Sequence, residues 1–305
     1  MPIKRSDTVN VLIDSQRVRR FCIKAQSRLD RSLEALIASQ YLGYHSPKEK
    51  TKPMDEERKA GKKIFARAQQ IRKLLEKEPD KQAVVAAEVA AAYGVLGPLV
   101  QTNAKGREVW DKLRLGHEET MRQLARRLPA AVWVRGIKGF GDLGFAIIIG
   151  EAGDLSNYAT VARLWKRLGL AVIDGWRQGG PPEGATAEVW IQHSYNPRRR
   201  AEVWSLADSL FKHQWVGDKD EDGKNPAETG KPVAIEAHAV GPYGEYYGRK
   251  KAEYIMREWT PKHADNAARR YMTKCLIRDL WSAWRAATRA EEGRMVEQEG
   301  RRVIE

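Results

Sequence analysis

From Thr8 to Tyr41 apolar residues return every three or four positions. Val11, Val18, Cys22, Leu29, Leu33, Leu36 and Ile37 mark one face, and Arg17, Arg19, Arg20, Lys24, Arg28 and Arg31 supply the polar side. That spacing predicts one long amphipathic helix. The charged, turn-rich stretch from Ser46 to Gly61 reads as a flexible connector. A second helix runs to Lys77 and stops at Pro79-Asp80; an Ala-rich third begins at Lys81 and is interrupted by Gly94, Gly97 and Pro98. A fourth extends from Arg107 to Leu128 and ends at Pro129. Residues 1–128 therefore read as almost wholly helical, with Leu/Ala seams of the kind that pack as hairpins or coiled coils. The heptads are too irregular to assign an oligomer, although a homo-oligomer through these helices is one arrangement such seams permit.

After Pro129 glycine and tryptophan become frequent and short segments crowd together, as in a compact globular unit. Leu155 to Gly169 predicts a helix capped by Ser156 or Asn157. Val189 to His193 reads as a short strand and Arg200 to His213 as a helix. Gly217 to Pro232 is a long polar loop. Helix resumes over 242–290 in two tracts divided near Thr260-Pro261, and 291–305 form a charged, frayed tail. The expected fold is mainly α. A long helical, coiled-coil-like N-terminal half precedes a compact helix–hairpin–helix domain over 129–290 that carries a basic C-terminal helix.

Within that domain Gly139 and Gly141 frame one bulky residue and open an apolar segment that closes on Gly153-Asp154. GFGDLG formally matches a dinucleotide fingerprint, and the preceding VWVRGIK looks strand-like. That fold, however, needs a second parallel strand and an acid roughly 20 residues on. Another helix occupies that space, and the candidate strand LAVID with Asp174 comes too late. A second reading is a helix–hairpin–helix, with Trp133, Val134, Ile137 and Phe140 in its packing and Ala146 to Ile149 in its second helix. Lys138, Gly139 and Gly141 would then meet one backbone phosphate, because glycine allows close approach and a helix start adds partial positive charge. A third is a glycine turn that binds nothing.

Charge favours a polyanion. Lys and Arg number 54 against 40 Asp and Glu, a formal net charge of +14 and a pI near 9.7. Arg198, Arg199 and Arg200 stand in a row at a helix start beside Tyr195 and Trp204, a composition suited to phosphate contacts and stacking on bases. Arg270, Lys274 and Arg278 fall at i, i+4 and i+8, on one helix face, with Tyr271, Leu276 and Leu280 turned to the core. Many further cations between Tyr243 and Arg289 interleave with aromatics, which core packing explains better than base stacking. Asp218, Asp220, Asp222 and Gly223 mimic the start of a calcium loop, but its twelfth position is Thr229 and its ninth Pro226, so an acidic solvated loop is the better account.

Cys22 and Cys275 lie far apart in helical contexts and the six histidines lack ligand spacing, which excludes a disulfide framework and a zinc site. No apolar run reaches membrane-span length and MPIKRSDTVN lacks a signal-peptide core, so the expected location is cytoplasmic. No cofactor, metal or catalytic residue is assigned.

The run from Gly139 to Asp154 followed by YATVARLWKRLGL resembles the C-terminal domain of the DEDD-type insertion-sequence transposases, the insertion-sequence-110 family. Gly139, Gly141, Ala146, Glu151, Gly153, Asp154, Gly169 and Leu170 carry the likeness, and Asn266 to Arg285 resembles the basic helix that ends many such proteins. The resemblance implies a coiled-coil linker before this domain, oligomers, and a guide-like RNA partner. Two features of the family are missing. Its RNase-H-like domain with four metal-binding carboxylates has no match, Asp14 being the only strand-borne candidate. Its Ser-Gly pair is replaced by Gln178, Gly179 and Gly180, and the next serine, Ser194, has different surroundings. The expectation is a transposase-like protein of a mobile-element or phage-derived recombination system, inactive alone, that binds DNA or structured RNA through phosphates. Two alternatives stand beside it: a recombinase subunit completed by a separate nuclease chain, and a basic helical scaffold.

Overall fold

A computed structural model describes residues 4–44, 55–76 and 87–304. The protein is mainly α, with eleven α-helices and four two-residue strands among the described residues. It divides into two compact units, Arg17–Glu118 and the combination of Met1–Gln16 with Glu119–Glu305.

The Arg17–Glu118 unit draws on three helices, α1 (Arg5–Gln40), α2 (Asp55–Glu76) and α3 (Ala87–Ala125). Leu33, Ile37, Ala38, Ala68, Ile71, Leu96 and Val100 form its core. Arg72 of α2 reaches Asp30 at 3.3 Å and Glu34 at 3.0 Å, two carboxylates one turn apart on α1. Val11, expected on the apolar face of α1, is exposed, and the buried stripe instead begins at Thr8, Val9 and Leu12.

Two expectations here change. Residues 55–61 belong to α2 and not to a connector; 45–54, like Pro79-Asp80, lie outside the described residues. The third and fourth helices are one, α3, which runs unbroken through Gly94, Gly97 and Pro98. Proline normally expels the preceding residue from helical geometry because its Cδ strikes that residue's Cβ. Gly97 has no Cβ, and buried Leu96 and Val100 hold the turn by packing.

In the second unit, α4 (Ala131–Arg135), α5 (Gly141–Ala152), α6 (Val161–Leu168) and α8 (Pro197–Gln214) pack with α10 (Pro242–Met256) and α11 (Pro261–Ile304). The apolar run of α5 is buried from Gly144 to Ile149, and Phe145 meets Trp284 of α11 edge to face at 6.0 Å. Leu276 and Leu280 enter this core, with Tyr271 packed on its edge. VWVR is helical in α4 and GIK forms the turn after it, so no strand directly precedes the glycines and the dinucleotide reading falls. LAVID supplies only β1 (Val172–Ile173), paired antiparallel with β2 (Trp176–Arg177) across Asp174-Gly175. Both turn residues have positive φ, as a two-residue Asp-Gly hairpin turn requires.

Val189–His193 is not a strand but part of α7 (Ala187–Gln192), a short apolar run whose periodicity fits either state. The helix expected from Leu155 splits. Asp154 caps a 3-10 turn, Leu155–Asn157, and α6 begins after Thr160, not after Ser156 or Asn157. The polar loop is tied at its base by β3 (Trp215–Val216) and β4 (His238–Ala239), and holds a short helix α9 (Pro226–Thr229). The two C-terminal tracts are divided at the expected place, but the tail continues α11 to Ile304 because its residues are strong helix formers.

Candidate nucleic-acid interface

Helix α6 buries Leu164 and Leu168 completely, which leaves Arg163, Lys166 and Arg167 on its outer side. Gly169 ends the helix in a left-handed conformation, with its N–H and that of Leu170 returned to Lys166 and Trp165 carbonyls. The Lys166 and Arg167 charges fall in the last turn, where the helix dipole favours them.

Helix α8 starts opposite. The Asn196 side chain accepts from the N–H groups of Arg198 and Arg199 at 3.0 and 3.3 Å, and Pro197 occupies the first helical position. Three arginines follow at a helix N-terminus, where cations are electrostatically disfavoured. The first N–H groups of the helix are taken up by Asn196, so what this end offers an anion is guanidinium charge.

The two helices face across an open cleft of about 830 Å³. Arg163, Lys166, Arg167, Arg198 and Arg199 line it together with Tyr158, Ser194 and Tyr195, and no carboxylate is among the lining residues. Tyr158 is fixed by donating to the Ala152 carbonyl at 2.6 Å, and burial pushes its phenol up. Arg199 is anchored from behind by Glu151, 3.4 Å away and almost fully buried.

Gln178 sets the spacing of the walls. Its buried amide donates to the Lys166 carbonyl at 3.1 Å and the Ser194 carbonyl at 2.8 Å, while its oxygen accepts from the Ala171 N–H at 3.3 Å. At Gly179, φ is +81° and any Cβ would fall on the Tyr195 ring, so the glycine lets that ring seat against the β2 end.

The residues that the sequence marks for binding occupy different settings. Arg198 and Arg199 enter the cleft, whereas Arg200 donates to the Gln178 carbonyl at 3.1 Å and lies 4.9 Å from the Tyr195 ring centre. On α11, Arg270 and Lys274 are half-buried, and Lys274 covers Trp165 at 4.2 Å. Burial lowers the pKa of both; the charges of Arg200 and Arg177 lower Arg270 further, and Arg270 lowers Lys274. Arg278 instead engages Asp279 at 2.7 Å and Tyr246 at 3.4 Å.

At the glycine turn, the N–H groups of Gly136, Ile137 and Phe140 are spent on carbonyls within it, leaving at most Lys138, Gly139 and Gly141 to face a ligand. Gly139 (φ +86°) packs so tightly on α8 that a Cβ would lie 2.8 Å from the His213 Cβ and 2.9 Å from the Ser209 carbonyl oxygen. Gly141 has open space around it, and Lys138 is exposed. Asp142, paired with Arg126 at 2.6 Å, already places a carboxylate in the first turn of α5.

Sequence reasoning missed Arg163, Lys166 and Arg167, although Leu164 and Leu168 at i, i+4 had fixed which side of α6 they occupy. It also missed Gln178 as the tie between the walls. In the acidic loop, Asp220 accepts from the N–H groups of Asp222 and Lys224 and from the Thr229 hydroxyl. Among the described residues no group of three or more His, Cys, Asp or Glu is arranged to hold a metal ion. None of the described helices is long and apolar enough to cross a membrane. The chain matches no family model, and no curated protein or solved structure shows significant similarity to it.

Proposed function

We propose that this protein binds nucleic acid through backbone phosphates, with the α6–α8 cleft as the main contact and the α4–α5 turn, a helix–hairpin–helix, as a lesser one at Lys138 and Gly141. The observation that carries the reading is the cleft lining: five cations, no carboxylate, and a helix N-terminus bearing two of those cations. Arg199 has Glu151 behind it, but clustering like charge at the cleft face still costs stability, and a polyanion relieves that cost on binding. The half-buried Arg270 and Lys274 extend the positive surface. The likeness of Gly139–Leu170 to the transposase C-terminal domain supports a role in a mobile-element recombination system, in which this chain holds DNA or structured RNA without cutting it.

An anisotropy titration with labelled duplex DNA and with a structured RNA, at about 50 and 200 mM salt, tests the reading. We expect binding at low salt and a log–log salt slope of about −4, the value for five phosphate contacts. Replacing Arg198 and Arg167 by Glu abolishes it. No binding at low salt, or binding indifferent to those replacements, overturns the proposal.

A further inference from the structure

The turn between α10 and α11 holds three rings in one column. Tyr254 and Trp259 stack with centroids 4.5 Å apart and planes 5° from parallel, and Trp259 stacks on His263 at 4.3 Å and 9°. Elsewhere among the described residues, the aromatic pairs meet edge to face or tilted. The backbone imposes the column. Glu258 takes φ +61°, and the N–H groups of Glu258 and Trp259 return to the carbonyls of Ile255 and Tyr254, which folds the indole back over the phenol. These two bonds are the common left-handed ending of a helix, here with Glu258 in place of the usual glycine.

Tyr254 and His263 both stack on Trp259, and His263 is exposed. Cations flank the column. Lys250 lies 5.9 Å from the Tyr254 ring centre. Arg270 lies two turns from His263 on the same side of α11, the charge of Arg200 lowers its pKa, and Arg200 in turn covers Tyr195 at the cleft wall. Rings and cations thus alternate from the cleft to the column, the composition that grips single strands by stacking bases and pairing phosphates.

We propose that this column is a base-stacking site: an unpaired nucleobase lies on the exposed face of His263, while the strand's phosphates follow Arg270 and Arg200 toward the cleft. The proposal rests on the phosphate-binding reading of the cleft and adds that the preferred ligand contains single-stranded nucleotides.

The test compares a labelled oligodeoxyadenylate with an abasic strand of equal length and charge at low salt. The wild-type protein is expected to bind the adenylate at least about fivefold more tightly. His263→Ala removes that preference and leaves abasic binding unchanged, and Arg198→Glu weakens both. The unlabelled adenylate also quenches part of the wild-type tryptophan emission, a part absent in Trp259→Phe. Equal affinity of the wild type for the two strands overturns the stacking site and leaves the cleft reading intact. So does an equal loss for both strands in His263→Ala. Failure of both strands to bind overturns the cleft reading and the stacking site with it.

Discussion

Arg199 stands 3.4 Å from Glu151, whose side chain is only 2% exposed. The same carboxylate accepts from the Gln16 amide at 2.9 Å, so one buried acid joins the start of α8 to α5 and to the beginning of α1. Removing one member of a buried pair leaves the other with less compensation. Because Arg199 keeps some contact with solvent, Glu151→Gln is expected to destabilise the fold by about 1–3 kcal/mol, below the full cost of a buried pair. The cleft simultaneously becomes more positive. Low-salt affinity for nucleic acid should therefore hold or rise while the urea midpoint falls, which parallel anisotropy and unfolding titrations measure.

Arg198 and Arg200 are two residues apart and should fail in opposite ways. Arg198 is exposed at the cleft and among the described residues pairs with no acid, so Arg198→Gln should lower the salt slope by about one while barely changing stability. Arg200 is committed to the Gln178 carbonyl and the Tyr195 ring. Lysine cannot reproduce a planar guanidinium that does both. Arg200→Lys should cost about 1 kcal/mol of stability, with the smaller effect on the slope.

The two glycines of the GFG run also part company. Both have positive φ, so alanine strains each by about 1 kcal/mol. Gly139 additionally has no room, since its Cβ would press on the Ser209 carbonyl and the His213 side chain. Gly139→Ala is expected to lower stability by about 3 kcal/mol and to weaken binding only through misfolding. Gly141→Ala stays near the strain cost alone. Gly141→Asp folds but binds less at low salt if the turn meets a phosphate, a difference that thermal melts followed by titration reveal.

What the sequence conveyed, and what it withheld, follows from range. Helices were legible wherever local periodicity or caps marked them, as in α1, α10 and α11, whose division at Thr260-Pro261 is written in the proline. Val189–His193 misled because a short apolar run fits a helix or a strand until its neighbours decide. Pro98 misled because Gly97 cancels the usual steric penalty, a pairwise effect hidden in single-residue propensities. The arginine row announced itself, but its partner wall on α6 did not, because contact between residues 163–167 and 198–199 depends on Gln178 and a glycine hairpin. The ring column was written only as scattered Tyr, Trp and His; its parallel stacking depends on one positive φ at Glu258.

Two phenols give the α10–α11 pair a defined response to alkali. Tyr243 donates to Asp279 at 3.2 Å and Tyr247 to Asp265 at 2.6 Å, and both rings are buried. Burial first, and the adjacent carboxylate second, hold each phenol well above the ordinary tyrosine value. The native state therefore keeps these protons at a pH where the unfolded chain has released them. The resulting stabilisation is complete below the unfolded tyrosine pKa of about 10 and is lost as pH rises above it, by about 1.4 kcal/mol per pH unit for each phenol. The double replacement Tyr243→Phe, Tyr247→Phe gives up two hydrogen bonds to carboxylates, so it should be less stable at about pH 8 by a few kcal/mol. It should also lose less stability than the wild type between about pH 9 and pH 11, because neither ring has a proton to release. Urea unfolding at a series of pH values measures both slopes, and parallel slopes for the two proteins would show that other groups govern the alkaline transition.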